Sequence, residues 1–176
     1  MIESDAYAVP AAAVDDARVF CRIDGNGEDA VLTELIAAGL AACEAFTGVP
    51  PVARGYRERF GMRGGWVVLS RYPVRAITGV SAVDDGAVGP VLAGTAYEAD
   101  IDTCDRGRVR VIVPPGAPGI EVAYRAGLAS EWASCPGSLR FGVLHFVAAA
   151  MAARDGRDLP ERATALWRPY RAMRLA

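Results

Sequence analysis

The chain has 176 residues, 52% of them hydrophobic and 23% charged, with a formal net charge of −2. That composition suits one domain, or one domain with a sizeable insertion, and it excludes the disordered and collagen-like classes. The longest apolar run, residues 141–153, is interrupted by Gly142 and His145 and falls short of the roughly 20 residues that span a bilayer; residues 1–10 carry Glu3 and Asp5 but no basic residue, unlike a secretory signal. A chain that is intracellular when made, with no membrane partner, is the expectation.

In chain order, Val14, Ala17 and Cys21 alternate with Asp15, Asp16 and Arg18 at helical spacing. They predict an amphipathic helix over 11–21, begun near Pro10 and stopped by Asp24-Gly25-Asn26-Gly27. A second helix is expected over 28–46. Asn26 is its N-cap on this reading, and Glu28 and Asp29 suit the positive end of its dipole. Val31, Leu32, Leu35, Ile36, Leu40, Cys43 and Phe46 give it a broad apolar face. Thr47-Gly48 ends it and Pro50-Pro51 prevents its return. So short a turn should pack the two helices together.

From 52 to 128 the period falls to two and valine and isoleucine dominate. Strands are expected at 52–60, 66–70, 77–83, 95–101, 108–113 and 120–125. Turn signals separate them: Arg63-Gly64-Gly65, Asp84-Asp85-Gly86, Asp105-Arg106-Gly107 and Pro114-Pro115-Gly116. A third helix should begin at Pro136, bury Leu139, Val143, Leu144, Val147, Ala150 and Met151, and close at Arg154-Asp155-Gly156. A linker, 157–160, leads to a last segment, 161–176. The fold class is therefore α+β. It comprises a helical bundle (1–48 and 134–156), an inserted small antiparallel sheet or sandwich (49–133) and an extended C-terminal tail (157–176), all in one structural unit.

The search for chemistry finds little. Cys21, Cys43, Cys104 and Cys135 form no CxxC pair, and a zinc site would have to gather distant ligands, so three of the four read as small core residues. His145 sits between Leu144 and Phe146, which suits a packed residue better than a base. Ser134 and Cys135 lie at a helix start, where a dipole can lower a thiol pKa, but capping explains them better. No P-loop, nucleophile elbow or dinucleotide fingerprint occurs. Asp100-x-Asp102-x-Cys104-Asp105-x-Gly107 has the look of a calcium loop. Cys104 and Asp105 stand where an oxygen ligand and glycine belong, and Val111 where glutamate belongs; an acidic hairpin fits better. Arg108 and Arg110 share one strand face, yet the chain is slightly acidic, against a nucleic-acid reader. No cofactor, no metal and no enzyme activity are expected.

Charge is uneven along the chain. Residues 1–47 hold nine acids and two arginines, a balance of −7, whereas residues 154–176 hold six arginines and three acids, a balance of +3. Such asymmetry suits complementary surfaces between copies or, equally, solvated helix faces of differing sign. All nineteen basic residues are arginine, which a coding bias explains. The tail Leu166-Trp167-Arg168-Pro169-Tyr170-Arg171-Ala172-Met173-Arg174-Leu175 gathers residue types enriched in interface hot spots. It either folds back on its own core or docks into a partner.

The order of these features resembles the head–tail connector, or adaptor, proteins of tailed bacteriophages and phage-like gene transfer agents. The stretches that carry it are Phe20-Cys21-Arg22-Ile23-Asp24, Ala41-Ala42-Cys43-Glu44-Ala45-Phe46-Thr47-Gly48, Leu69-Ser70-Arg71-Tyr72-Pro73-Val74, residues 120–127, the helix 136–154 and residues 167–175. Each is weak alone. The resemblance implies a homo-oligomeric ring of about twelve copies in the particle neck, assembled in the bacterial cytoplasm, between the portal and a stopper or tail-side protein. DNA would pass through its channel without sequence-specific binding, which a slightly acidic chain suits; a strongly basic channel would contradict this. The resemblance also implies portal docking through Leu166, Trp167, Arg168, Pro169, Tyr170, Arg171, Met173, Arg174 and Leu175.

Three other readings compete. One is another neck or tail-completion protein such as a stopper. A second is a small hydrolase using the acidic loop at Asp100, Asp102 and Asp105, which would need a concave site with convergent polar groups. A third is a free nucleic-acid-binding module, whose binding would depend steeply on salt.

Overall fold

A computed structural model describes residues 1–62, 64–113, 116–152 and 160–172. The chain divides into two compact units: Met1–Asp5 with Ala53–Gly127, and Ala6–Val52 with Leu128–Ala176. The mixed helix-and-strand composition is as expected.

The first unit is built of antiparallel strands. These are β1 (Ile2–Ser4), β2 (Arg54–Gly61), β3 (Val67–Val68), β4 (Val74–Asp84), β5 (Ala87–Val91), β6 (Tyr97–Ile101), β7 (Gly107–Val111) and β8 (Gly119–Ala126). Five strands form one sheet in the order β1-β2-β8-β4-β5, and three form a second in the order β3-β7-β6. The central strand β8 is the most buried, as its Val122, Tyr124 and Ala126 show. One apolar cluster joins both sheets through Tyr56, Leu69, Val80, Val109 and Val122. Across β2 and β8, Tyr56 stacks on Tyr124 with ring centroids 5.5 Å apart, a favoured cross-strand pair.

Two strands depart from expectation. The first residues, expected with the helices, pair as β1 with β2, Ile2 facing Glu58 and Ser4 facing Tyr56. All three residues of β1 are exposed, so no buried alternation announces it. Strand β5 follows the Asp85-Gly86 turn, where both residues have positive φ and Asp84 pairs with Ala87, the geometry of a two-residue hairpin. Gly89 and Pro90 hid it; at a sheet edge a proline is tolerated because no ladder donor is missed.

The second unit is helical: α1 (Ala11–Cys21), α2 (Asp29–Thr47), α3 (Gly137–Ala152) and α4 (Glu161–Trp167). Its core contains Ala13, Ala17, Leu32, Ile36, Cys43, Val143, Val147 and Trp167, each wholly buried. Helix α1 ends where Arg22 turns left-handed and the Ile23 N–H reaches back to the Arg18 carbonyl at 3.0 Å. The Arg18 side chain bridges Asp15 and Asp29, tying α1 to the start of α2. Asn26 does not cap α2 by its side chain. Its main-chain oxygen accepts the Asp29 N–H at 3.2 Å instead, and Glu28 holds the cap position. Pro136 lies just before α3, where its carbonyl accepts the Leu139 and Arg140 N–H groups. By length and composition α2 could cross a membrane, but its Leu32, Ile36 and Leu40 pack into the core and its buried Glu44 accepts the Tyr7 hydroxyl at 2.7 Å.

The segment expected as an extended tail is instead α4 followed by a 3₁₀ turn, Arg168–Tyr170. Burial of Ala163 and Trp167 on one face explains the helix. The expected turn residues Arg63, Pro114 and Pro115, the helix stop at Arg154, Asp155 and Gly156, the linker residues 157–159, and Met173, Arg174 and Leu175 lie outside the described residues.

Candidate functional site

The C-terminal segment is seated on its own helices. Trp167 is wholly buried, and its Nε1 donates to the Leu139 carbonyl at 3.3 Å. Gly142 makes room for it: a Cβ there would collide with the indole Nε1. The Phe46 ring lies 6.2 Å from the indole, tilted by 50°. One turn on, the Ser138 hydroxyl donates to the Tyr170 hydroxyl at 3.0 Å.

Past the turn, the chain is latched at the end of α2. The Ala172 N–H donates to the Thr47 carbonyl at 2.7 Å. Gly48, left-handed at φ 77°, brings its backbone against Ala172, whose Cβ would lie 3.4 Å from a Cβ at position 48. The Arg171 guanidinium sits over the Phe46 ring, 5.3 Å from its centroid. The Thr47 hydroxyl donates to the Cys43 carbonyl and holds the bend at Val49. Phe46-Thr47-Gly48 is therefore both a helix stop and the seat of the C-terminal segment. Only the stop is legible in the sequence, because the other half lies more than a hundred residues away.

Of the residues singled out for docking, Trp167 is interior, Leu166 and Tyr170 are half-buried, and Arg168, Pro169 and Arg171 are exposed. Among the described residues neither Arg168 nor Arg171 has a carboxylate within ion-pair distance.

The acidic loop is a closed hairpin between β6 and β7. Asp102 Oδ1 accepts the N–H groups of Cys104 and Arg106 at 2.8 and 3.0 Å, which hold its pKa below the usual carboxylate range. Asp105 takes the left-handed turn position at φ 57°. Cross-strand register then sets Asp100 against Arg108 and Glu98 against Arg110, each pair 2.6 Å apart. Both guanidiniums also stack on Trp66, at 4.8 and 5.2 Å from its centroid. These carboxylates neutralise neighbours and brace a turn, and among the described residues no cluster of metal-ligating side chains occurs.

Of the four thiols, Cys104 is exposed and the other three are partly or wholly buried. Burial pushes Cys135 up to about 11, only partly offset by Arg140, and it pushes Cys43 and Cys21 upward as well. Ser134 closes the turn before α3 by donating to the Glu131 carbonyl at 3.1 Å. His145 packs edge-on against Phe20, 5.0 Å between centroids. Glu58 is a buried polar group that no pattern in the sequence announces; it accepts from the Ser70 N–H and hydroxyl and from Tyr124. Its three donors satisfy it, a structural arrangement that joins β2, β8 and the segment before β4.

No family model and no curated protein sequence matches the chain. Solved structures do. A chain in the neck of an empty gene transfer agent particle, computed with C6 symmetry, is 26% identical at a TM-score of 0.77, and the match covers 100% of this chain and 97% of that one. A chain in the virion of a native gene transfer agent particle is 26% identical at a TM-score of 0.74, with the same coverage. A chain in the neck of a native particle, computed with C12 symmetry, is 25% identical at a TM-score of 0.71, again with that coverage. Likeness along the whole chain supports a structural, non-enzymatic role in the neck of a phage-like particle.

Proposed function

We propose that the protein is the head–tail adaptor of a gene-transfer-agent-like particle. Its copies form a ring, about twelve-fold, between the portal and a stopper or tail-side protein, and DNA crosses the ring's channel without sequence-specific contacts. The observation that carries this reading is the end-to-end likeness to chains of gene transfer agent necks, two of them in assemblies of C6 and C12 symmetry. The uneven charge along the chain, acidic over 1–47 and basic over 154–176, supports head-to-tail contacts between copies.

The portal-facing element on this reading is the C-terminal segment. Arg168, Pro169, Tyr170 and Arg171, with Leu166 at their base and Met173, Arg174 and Leu175 beyond, meet the portal. Trp167 anchors them from inside the core.

Removing the gene from a producing cell tests the adaptor role. Adaptor loss leaves DNA-filled or emptied heads and free tails, and heads purified from such cells lack the later neck proteins too. Heads that still carry a stopper would make this protein a later neck component. Fully joined particles would remove it from the neck altogether.

A further inference from the structure

The backbone that carries the exposed Arg168 and Arg171 is held by the chain's own contacts, and no described carboxylate lies within ion-pair distance of either. From this we infer a docking chemistry: Arg168 and Arg171, carried on one preorganised turn, form a cationic clamp for a carboxylate-rich surface of the portal. The inference rests on the adaptor reading and deepens it.

Two independent sets of contacts fix the backbone of the clamp. The inner set is Trp167 in its glycine-lined seat, with its Nε1 on the Leu139 carbonyl. The outer set is the latch at the end of α2, where the Thr47 carbonyl takes the Ala172 N–H and Phe46 underlies Arg171. Between them the Arg171 N–H returns to the Arg168 carbonyl at 3.2 Å, closing the 3₁₀ turn. Pro169 restricts the backbone within that turn. A segment held at both ends loses little conformational freedom on binding, which is how preorganisation strengthens association.

The choice of occupant follows from charge. Arginines on the β6–β7 hairpin are paired with Asp100 and Glu98, whereas Arg168 and Arg171 face no carboxylate among the described residues. A planar guanidinium fits a carboxylate through two parallel hydrogen bonds. Docking a pair of them on an acidic surface supplies the missing partners and steers the encounter. A phosphate backbone would satisfy the same donors, so DNA is the competing occupant and must be a separate arm of the test.

The test uses the full chain, the purified portal ring and a DNA duplex of the same molar charge. Binding isotherms are recorded at two salt concentrations for the wild type, the double variant Arg168→Glu/Arg171→Glu, the double variant Arg168→Lys/Arg171→Lys, and Ala172→Pro. The proline removes the latch donor, and Arg171 already has the extended ψ of 126° that a following proline requires. Thermal unfolding of each variant is measured alongside. Charge reversal should weaken portal binding by about a hundredfold and flatten its salt dependence. Lysine should retain the charge but lose about tenfold through the missing fork geometry. Ala172→Pro should lose about threefold to tenfold, with the unfolding midpoint lowered by about 2–4 °C through the lost latch hydrogen bond. Portal binding by the wild type that neither charge reversal nor the proline reduces overturns the clamp and leaves the adaptor reading standing. Wild-type protein that ignores the portal overturns both. Binding to the DNA duplex in place of the portal, lost on charge reversal, overturns the carboxylate assignment.

Discussion

Two arginine-bearing regions of this lysine-free chain use the same residue in opposite ways. On the β6–β7 hairpin, Arg108 and Arg110 each have a carboxylate 2.6 Å away and share the Trp66 ring. In the C-terminal segment, Arg168 and Arg171 stand on a turn whose backbone is fixed from below, and no described carboxylate meets them. The hairpin closes its own electrostatics; the segment leaves them open. What separates the two is register. Antiparallel pairing of β6 with β7 places opposite charges side by side, whereas a short helix and a 3₁₀ turn with one buried face direct theirs outward.

The contrast breaks most severely at its foundation. Trp167→Ala should destabilise the protein by about 3–5 kcal/mol, and Gly142→Ala by about 1–3 kcal/mol through overpacking against the indole. Denaturant unfolding measures both. A tryptophan whose loss costs almost nothing would mean that the segment is not part of the core. A chain truncated before Leu166 would suffer the same loss of core, so charge reversal is the cleaner probe of docking.

Next in size is the hairpin side. Arg108→Ala or Asp100→Asn breaks an ion pair whose members are each nearly half exposed. Either change should cost about 0–1 kcal/mol and leave portal binding unaltered. Portal binding weakened as much by these changes as by reversal of Arg168 and Arg171 would erase the distinction between the two regions.

Alkaline titration sharpens the comparison from the buried side of the strand unit. Burial, then the neighbouring Glu58 carboxylate, pushes the Tyr124 phenol well above its ordinary range. The folded state therefore binds this proton more tightly than the unfolded chain does. The associated stability is complete below the unfolded tyrosine value of about 10 and declines as the pH rises from there towards the folded pKa. Cys135, pushed up to about 11, acts with the same sign. The denaturant midpoint should fall above about pH 10, and Tyr124→Phe should shallow that fall. An identical slope in the variant would mean that Tyr124 keeps its ordinary pKa in the fold.

Much of the fold is legible in the residues. The helical spacing of Val14, Ala17 and Cys21 and the stripe from Leu139 to Val147 mark helices that form where expected. The valine-rich stretch marks strands, and Asp84-Asp85-Gly86 marks a turn that forms there. Strands β1 and β5 are illegible because both are exposed edges, so neither carries an apolar alternation. The candidate site is half legible. The aromatic and cationic character of 166–175 stands out, but composition alone does not say whether Trp167 turns inward or towards a partner. The seat that decides it comes from Phe46, Thr47, Leu139 and Gly142, remote in sequence and individually ordinary. The same limit hid Glu58, whose three donors come from Ser70 and Tyr124.

On the proposed function, this chain joins a portal as one of many copies in a neck ring. The most direct test is the mass of the complex formed when the full chain is mixed with its cognate portal ring. A neck ring should give a single assembly carrying several copies, close to one per portal subunit. A portal that leaves the mixture at its own mass, with the chain unbound, would contradict it.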